Sequence, residues 1–150
     1  MTFKNEEQLK RFLMEQCAKA VANTEQKVHK VFSDNLNQFY DEYSPLEYIR
    51  TNALFDSLEV TGVKQAGNRV DAEVFFVNPT WEHGWVPLQS GEFGYSSWSD
   101  EKIFNVAMKG ALPHGGAHSG TAIWTESMRA LGGQQGIKNL LKQELKRQGL

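Results

Sequence analysis

The sequence predicts an α+β fold with a long N-terminal helix, a small antiparallel sheet built on a hairpin, and C-terminal helices. Three observations support this prediction. No Gly or Pro occurs before Pro45, and up to that point apolar residues recur at the three- and four-residue spacing of an amphipathic helix. After Pro45 polar and apolar residues alternate, which is typical of a half-buried strand. Helical spacing returns near the C-terminus.

The composition predicts one globular domain over residues 1–150. Apolar residues make up 40% of the chain and aromatic residues 11%, which is enough for a core without cross-links. The formal net charge of −2 predicts no general attraction to nucleic acid or anionic lipid. Cys17 is the one cysteine in the sequence, which excludes an internal disulfide. Because no long apolar run occurs, we expect a soluble protein of a reducing cytoplasm, neither secreted nor membrane-spanning.

The first predicted element is a helix over residues 4–43, and its length has a consequence. About forty residues at 1.5 Å per residue would reach roughly 60 Å, whereas a compact chain of this size has a radius of gyration of roughly 15 Å. A continuous helix would therefore leave part of its apolar stripe uncovered. Either the helix breaks near Asn23, where Asn23 and Gln26 form a weak capping box, or the uncovered part packs on another subunit. The stripe consists of Leu9, Phe12, Leu13, Cys17, Ala20, Val21, Val28, Val31, Phe32, Leu36, Phe39 and Tyr43.

An antiparallel hairpin is predicted over residues 57–78. Polar and apolar residues alternate over residues 57–63 and more strongly over residues 69–77. Gly67-Asn68 lies between these runs and suits the positive φ angles of a tight hairpin turn. Pro79 follows, and a proline cannot continue a paired strand.

Residues 84–120 are predicted to form an irregular loop with one short helix. Ser99 can cap that helix and Gly110 can end it. A large aromatic side chain is costly to leave in water, and three of them precede this helix. We therefore expect them to dock on a neighbouring subunit or on another protein. These aromatic residues are Phe93, Tyr95 and Trp98.

C-terminal helices are predicted within residues 121–148, over residues 121–131 and 137–148, with Gly132-Gly133 ending the first. The second helix has a basic face. Such a face is usually solvated, but it also supports an alternative function, a nucleic-acid-binding module. The basic residues are Lys138, Lys142, Lys146 and Arg147.

A second alternative is a small metal-assisted hydrolase that uses His114 and His118 with Glu82 or Glu126. Two histidines four residues apart share one face of a helix, but here they flank Gly115-Gly116, which disfavours a helix. A surface loop that happens to contain histidine explains the pattern better. We therefore expect no bound metal, no cofactor and no enzymatic activity.

The segment from Tyr48 to Leu58 resembles the T-G-x-L-x-x-S-[IL] segment of tail-completion, or head–tail joining, proteins of long-tailed double-stranded DNA phages. In that family the segment links the long N-terminal helix to the first strand. Asn52 takes the place of the usual Gly, and Asn tolerates a left-handed conformation best after Gly. Two looser matches are Glu82-His83-Gly84 and the apolar start of a helix at residues 123–131. The matching residues of the main motif are Tyr48, Arg50, Thr51, Leu54, Ser57 and Leu58.

The resemblance implies a virion structural protein that forms a homo-oligomeric ring, commonly of six subunits, at the head–tail interface. The implied partners are further copies of the chain and the neighbouring neck, portal-side and tail-tube proteins. DNA would only pass through the lumen of the ring, and no membrane is involved. The implied location is the virion, and the host cytoplasm during assembly. Because Val28 and Phe32 lie on the stripe of the long helix, we expect these two side chains to contact another subunit.

Overall fold

The computed structural model describes residues 2–42, 53–77 and 123–150, and the chain is α+β as the sequence predicts. The predicted loop at residues 84–120 lies outside the described residues. In the part of the chain that is described, no helix is both long and apolar enough to cross a membrane. The elements are α1 (Glu6–Glu42), α2 (Ala53–Asp56), β1 (Leu58–Val60), β2 (Lys64–Ala66), β3 (Arg69–Asp71), β4 (Val74–Phe76), α3 (Ile123–Leu131) and α4 (Gly133–Arg147).

α1 runs without a break for 37 residues, or about 55 Å. It begins at a reciprocal cap, in which Asn5 Oδ1 accepts a hydrogen bond from the backbone N–H of Gln8 (2.9 Å) and Gln8 Oε1 accepts one from the backbone N–H of Lys4 (3.1 Å). α1 continues through Asn23, and the side chain of Asn23 donates a hydrogen bond to Glu144 of α4 instead of capping a new helix. Of the two alternatives open from the sequence, the broken helix is therefore excluded.

The predicted hairpin forms, but its hydrogen-bonded ladder is interrupted. β1 pairs antiparallel with β4, and β2 pairs antiparallel with β3. Residues 61–63 separate β1 from β2, whereas only residues 72–73 separate β3 from β4, so the first strand carries a one-residue bulge. Gly62 supplies the positive φ of the bulge (66°) and Gly67 that of the turn (61°).

Hydrogen bonds across the bulge join the hairpin to itself and to α1. The backbone N–H of Thr61 donates to the carbonyl of Glu73 (2.9 Å), and the N–H of Glu73 donates to Thr61 Oγ1 (2.9 Å). The N–H of Gly62, which the bulge removes from the ladder, donates to Glu25 Oε1 of α1 (3.0 Å). The bulge thus supplies the backbone donor that links the hairpin to α1.

α1 is the middle layer of the fold. Its Glu25 binds the hairpin, whereas Asn23 and Lys27 bind Glu144 of α4. Successive residues of an α-helix are about 100° apart, so residues two positions apart point about 160° away from each other. The hairpin and α4 therefore lie on nearly opposite sides of α1.

The core lies along the C-terminal half of α1. Phe32 is at its centre, with its ring 5.8 Å from that of Phe76 in the hairpin and 5.3 Å from that of Trp124 in α3. Asn35 Nδ2 donates to the buried Ser127 Oγ of α3 (2.9 Å), so this buried hydroxyl is paired. The buried core residues are Val28, Phe32, Leu36, Ile123 and Leu131.

A tight corner joins α3 to α4. Gly132 and Gly133 both have positive φ (74° and 65°), which confirms the predicted end of α3, but α4 begins at Gly133, before the predicted start at residue 137. Gly136 allows the early start because it packs directly on the end of α3. A Cβ at Gly136 would lie 1.6 Å from the carbonyl oxygen of Leu131.

Candidate functional site

On the apolar stripe of α1, Ala20, Val28, Phe32 and Leu36 are buried, and no stripe residue before Ala20 is buried. Nearer the N-terminus, Leu9 and Leu13 are 38% and 39% exposed. They are four residues apart, so they share one face of the helix. We call this pair the N-terminal stripe. Within residues 6–19 of α1, these two leucines therefore form an exposed apolar pair, whereas Phe12, Met14 and Cys17 are half-buried.

The start of α1 is held in place by local contacts. Phe3, which precedes the helix, packs on Phe12 with ring centroids 5.3 Å apart. This contact holds the preceding segment against the first two turns of α1 and acts together with the cap at Asn5. The helical conformation around the N-terminal stripe therefore does not depend on a partner, which leaves its two leucines positioned for a contact.

The sequence predicted that Val28 and Phe32 contact another subunit, and the burial of both side chains corrects this prediction. Val28 and Phe32 are 9% and 3% exposed and belong to the core of the single chain. Helical spacing identified the stripe but could not tell which part of it the hairpin, α3 and α4 would cover. The uncovered part lies farther toward the N-terminus, at Leu9 and Leu13.

A groove of about 400 Å³ lies between the N-terminal part of α1 and the tip of the hairpin. Its α1 wall carries charges of both signs, which gives it no clear preference for an anion or a cation. Cys17 is only half-buried. Among the described residues, no group of three or more His, Cys, Asp and Glu could hold a metal ion. The groove is lined by Glu7, Lys10, Arg11, Met14, Glu15, Gln65 and Gly67.

Within the described ranges, Glu144 of α4 is the one buried charged side chain, with 1% of its surface exposed. Its Oε1 accepts hydrogen bonds from Lys27 Nζ (2.5 Å) and from Arg147 (2.9 Å), and its Oε2 accepts one from Asn23 Nδ2 (3.1 Å). The bond from Lys27 holds the pKa of Glu144 below its usual range, against the opposing effect of burial. The sequence analysis did not find this cluster. One signal was available: Glu144 follows the core-packed Leu140 by four residues, so both lie on the same face of α4.

Acidification is expected to weaken the fold through Glu144. In the unfolded chain Glu144 takes up a proton at the ordinary glutamate pKa of about 4.3, whereas in the fold its pKa is lower. The stabilisation is therefore fully present above about pH 4.3 and is lost as the pH falls through the folded pKa. Urea denaturation at a series of pH values should show the wild type more stable than Glu144→Gln near neutral pH, with the difference shrinking as the pH falls below about 4.

Asp34→Asn is the matched control for this pH series. Asp34 is 59% exposed and pairs with Lys30 (2.7 Å) on the surface of α1. Exposed pairs contribute little to stability, so this variant should stay close to the wild type at every pH. A difference between Glu144→Gln and the wild type that does not change with pH would contradict the prediction.

The residues behind the two alternative functions are only partly described. Glu126 forms an ion pair with Arg129 on α3. Its proposed partners His114 and His118, and the alternative carboxylate Glu82, lie outside the described residues. On the basic face of α4, Arg147 binds Glu144, whereas Lys138, Lys142 and Lys146 are exposed. The aromatic residues Phe93, Tyr95 and Trp98 also lie outside the described residues.

The phage-protein motif is described only at its C-terminal end. Ser57 is buried and its carbonyl accepts a hydrogen bond from the N–H of Val77 (2.8 Å). Leu58 packs against the core. Ser57 therefore extends the pairing between the two arms of the hairpin, and Leu58 attaches the start of the hairpin to the core. The motif side chains that lie outside the described part are those of Tyr48, Arg50, Thr51 and Leu54.

Residues 5–147, nearly the whole chain, match the YomN family. The chain belongs to this family. YomN proteins derive from phage, so the chain is a phage-associated protein, which agrees with the phage origin that the motif at Tyr48–Leu58 implies. No curated protein and no solved structure is significantly similar to it.

Proposed function

We propose that this YomN-family protein is a virion structural protein that forms a homo-oligomeric ring at the head–tail interface of a long-tailed phage. Its phage-derived family supports the association with a virus. The head–tail position, the neighbouring neck, portal-side and tail-tube partners and the passage of DNA through the lumen follow from the resemblance at residues 48–58. Particles that lack the protein should have full heads and separate tails in electron micrographs. Normally joined particles would contradict the head–tail position.

The observation that carries the proposal of self-assembly is the N-terminal stripe. Leu9 and Leu13 are exposed on a capped, continuous helix that extends past its own core. An ordered helix with an exposed apolar face is suited to pack on another subunit, because apolar area removed from water is the main favourable term in association. A contact between different surfaces of identical subunits can repeat and close into a ring.

The double variant Leu9→Gln with Leu13→Gln is expected to impair assembly. Gln forms helices nearly as well as Leu, so the change should remove apolar contact area and leave α1 intact. Fully burying an exposed leucine contributes about 1.5–3 kcal/mol. Because Leu9 and Leu13 have only 38% and 39% of their surface left to bury, the pair contributes about 1–2 kcal/mol, and subunit association should weaken about tenfold. Size-exclusion chromatography with light scattering would measure the change from ring to smaller species.

Glu15→Gln with Lys19→Gln is the matched control, since both side chains are exposed on the same part of α1. This control should assemble like the wild type, and both double variants should keep the helix content of the wild type in circular dichroism spectra. If the leucine variant forms rings of wild-type mass, the N-terminal stripe does not make the contact. If the wild type itself is monomeric in solution and in electron micrographs, the proposed ring is wrong.

A further inference from the structure

The outer face of α4 is cationic. Lys138, Lys142 and Lys146 are exposed and follow each other at four-residue steps, so they form a row with a rise of about 6 Å per step. α4 contains four basic residues and one acidic residue. The acidic one, Glu144, is buried against α1 and does not offset the charge of the outer face. We call these three lysines the lysine row.

The hairpin presents an acidic face on the opposite side of α1. Glu59 pairs with Phe75 across β1 and β4, while the neighbouring pairs in the ladder include the core-packing Leu58 and Phe76. Because side chains alternate along a strand, Glu59 and Phe75 point away from α1. Glu73 lies two residues before Phe75 and is exposed. We call Glu59, Glu73 and Phe75 the hairpin outer face.

The spacing of the two charged sets is similar. Glu59 and Glu73 are diagonal neighbours across two antiparallel strands, a relationship that separates Cα atoms by about 7–8 Å. Adjacent members of the lysine row are about 6 Å apart along the helix axis. Two lysines could therefore face two carboxylates, and their aliphatic stems could cover Phe75, which is 37% exposed.

The N-terminal stripe lies on the same side of the subunit as α4. Leu9 precedes Lys27 by 18 residues, which is about five full turns, so both point in the same direction from α1. Lys27 binds Glu144 of α4. One side of the subunit therefore carries exposed leucines and lysines, and the other side carries an exposed aromatic ring and carboxylates.

We propose that the lysine row of one copy of this chain binds the hairpin outer face of the next copy. The inference rests on the proposed ring and specifies which surfaces form its repeating contact. The partner is a second copy because the chain itself carries the complementary charge on its opposite side. Such a contact joins two different surfaces, so it is directional and can repeat around a ring. Electrostatic complementarity would set the order of the subunits, and the N-terminal stripe would add apolar area.

Charge-reversal variants test this contact. Lys138→Glu with Lys142→Glu, and separately Glu59→Lys with Glu73→Lys, should each weaken assembly at least about tenfold, because like charges then face each other. A chain that carries all four substitutions should regain wild-type assembly, and so should an equimolar mixture of the two double variants. Light scattering at low ionic strength gives the masses. Lys4→Glu with Lys64→Glu, an equal charge change at other exposed sites, is the control and should assemble normally.

The possible failures are distinguishable. If the wild type forms rings that neither double variant weakens, or if both weaken and the fourfold variant does not recover, this contact is wrong and the proposed ring stands. If the wild type remains monomeric, both the ring and this contact are wrong. A monomeric wild type that binds a DNA duplex, with binding lost in the lysine variant, would make the lysine row a phosphate-binding surface and overturn the inference.

Discussion

Replacing Phe32 by Ala is expected to lower the free energy of unfolding by about 3–5 kcal/mol, the usual effect of truncating a buried phenylalanine. Phe32 is 3% exposed and its ring contacts both Phe76 and Trp124. The truncation would remove a side chain that contacts both the hairpin and α3, and it would leave a cavity between them. Urea denaturation of the variant and the wild type would measure the difference.

Phe55→Ala is the matched control, because Phe55 in α2 is the same residue type but is 38% exposed. Its truncation should change the free energy of unfolding by less than about 1 kcal/mol, as for most surface substitutions. The sequence alone suggested Phe32 as a subunit contact. If Phe32→Ala left the subunit as stable as the wild type and abolished only its assembly, that first interpretation would be right and the burial argument wrong.

Gly136→Ala is expected to lower the free energy of unfolding by about 3 kcal/mol or more, the upper range for overpacking. The added Cβ would lie 1.6 Å from the carbonyl oxygen of Leu131, which is backbone and cannot rotate away. The corner would have to open, and α3 and α4 would then lose their common packing on α1. Urea denaturation measures the loss, and circular dichroism would show whether helix content is kept.

Gln134→Ala, at an exposed position two residues earlier in α4, is the control and should be nearly neutral. In an ordinary exposed helix, replacing Gly by Ala is stabilising by up to about 1 kcal/mol. Stabilisation by Gly136→Ala would therefore mean that α3 and α4 do not approach each other closely at this position.

Local signals were enough to predict the main elements. A long stretch without Gly or Pro and apolar residues at helical spacing predict α1. Gly67 between two runs of alternating polar and apolar residues predicts the hairpin turn. The end of α3 at Gly132 was predictable for the same reason. Each of these features depends on neighbours within a few residues, so one sequence is sufficient to show them.

Features that depend on distant residues were not predictable. Glu144 is paired with Lys27, which lies 117 positions away in the chain, and nothing near Glu144 indicates that partner. The division of the α1 stripe into a buried part at Phe32 and an exposed part at Leu9 likewise depends on where α4 ends. The early start of α4 required the close approach of Gly136 to Leu131, which is a property of the packed corner.

The bulge at Gly62 has a consequence for how the hairpin is aligned along α1. The apolar alternation of a strand repeats every two residues, so a regular hairpin could shift along the helix by two residues, about 6.8 Å, and still bury apolar side chains. The bulge occurs at one position and breaks that repeat. The N–H of Gly62, which the bulge removes from the ladder, donates to Glu25. A shifted hairpin would lose this hydrogen bond and leave the Glu25 carboxylate without it. One irregular residue thus fixes a single alignment of the hairpin along α1, where a regular strand would allow several.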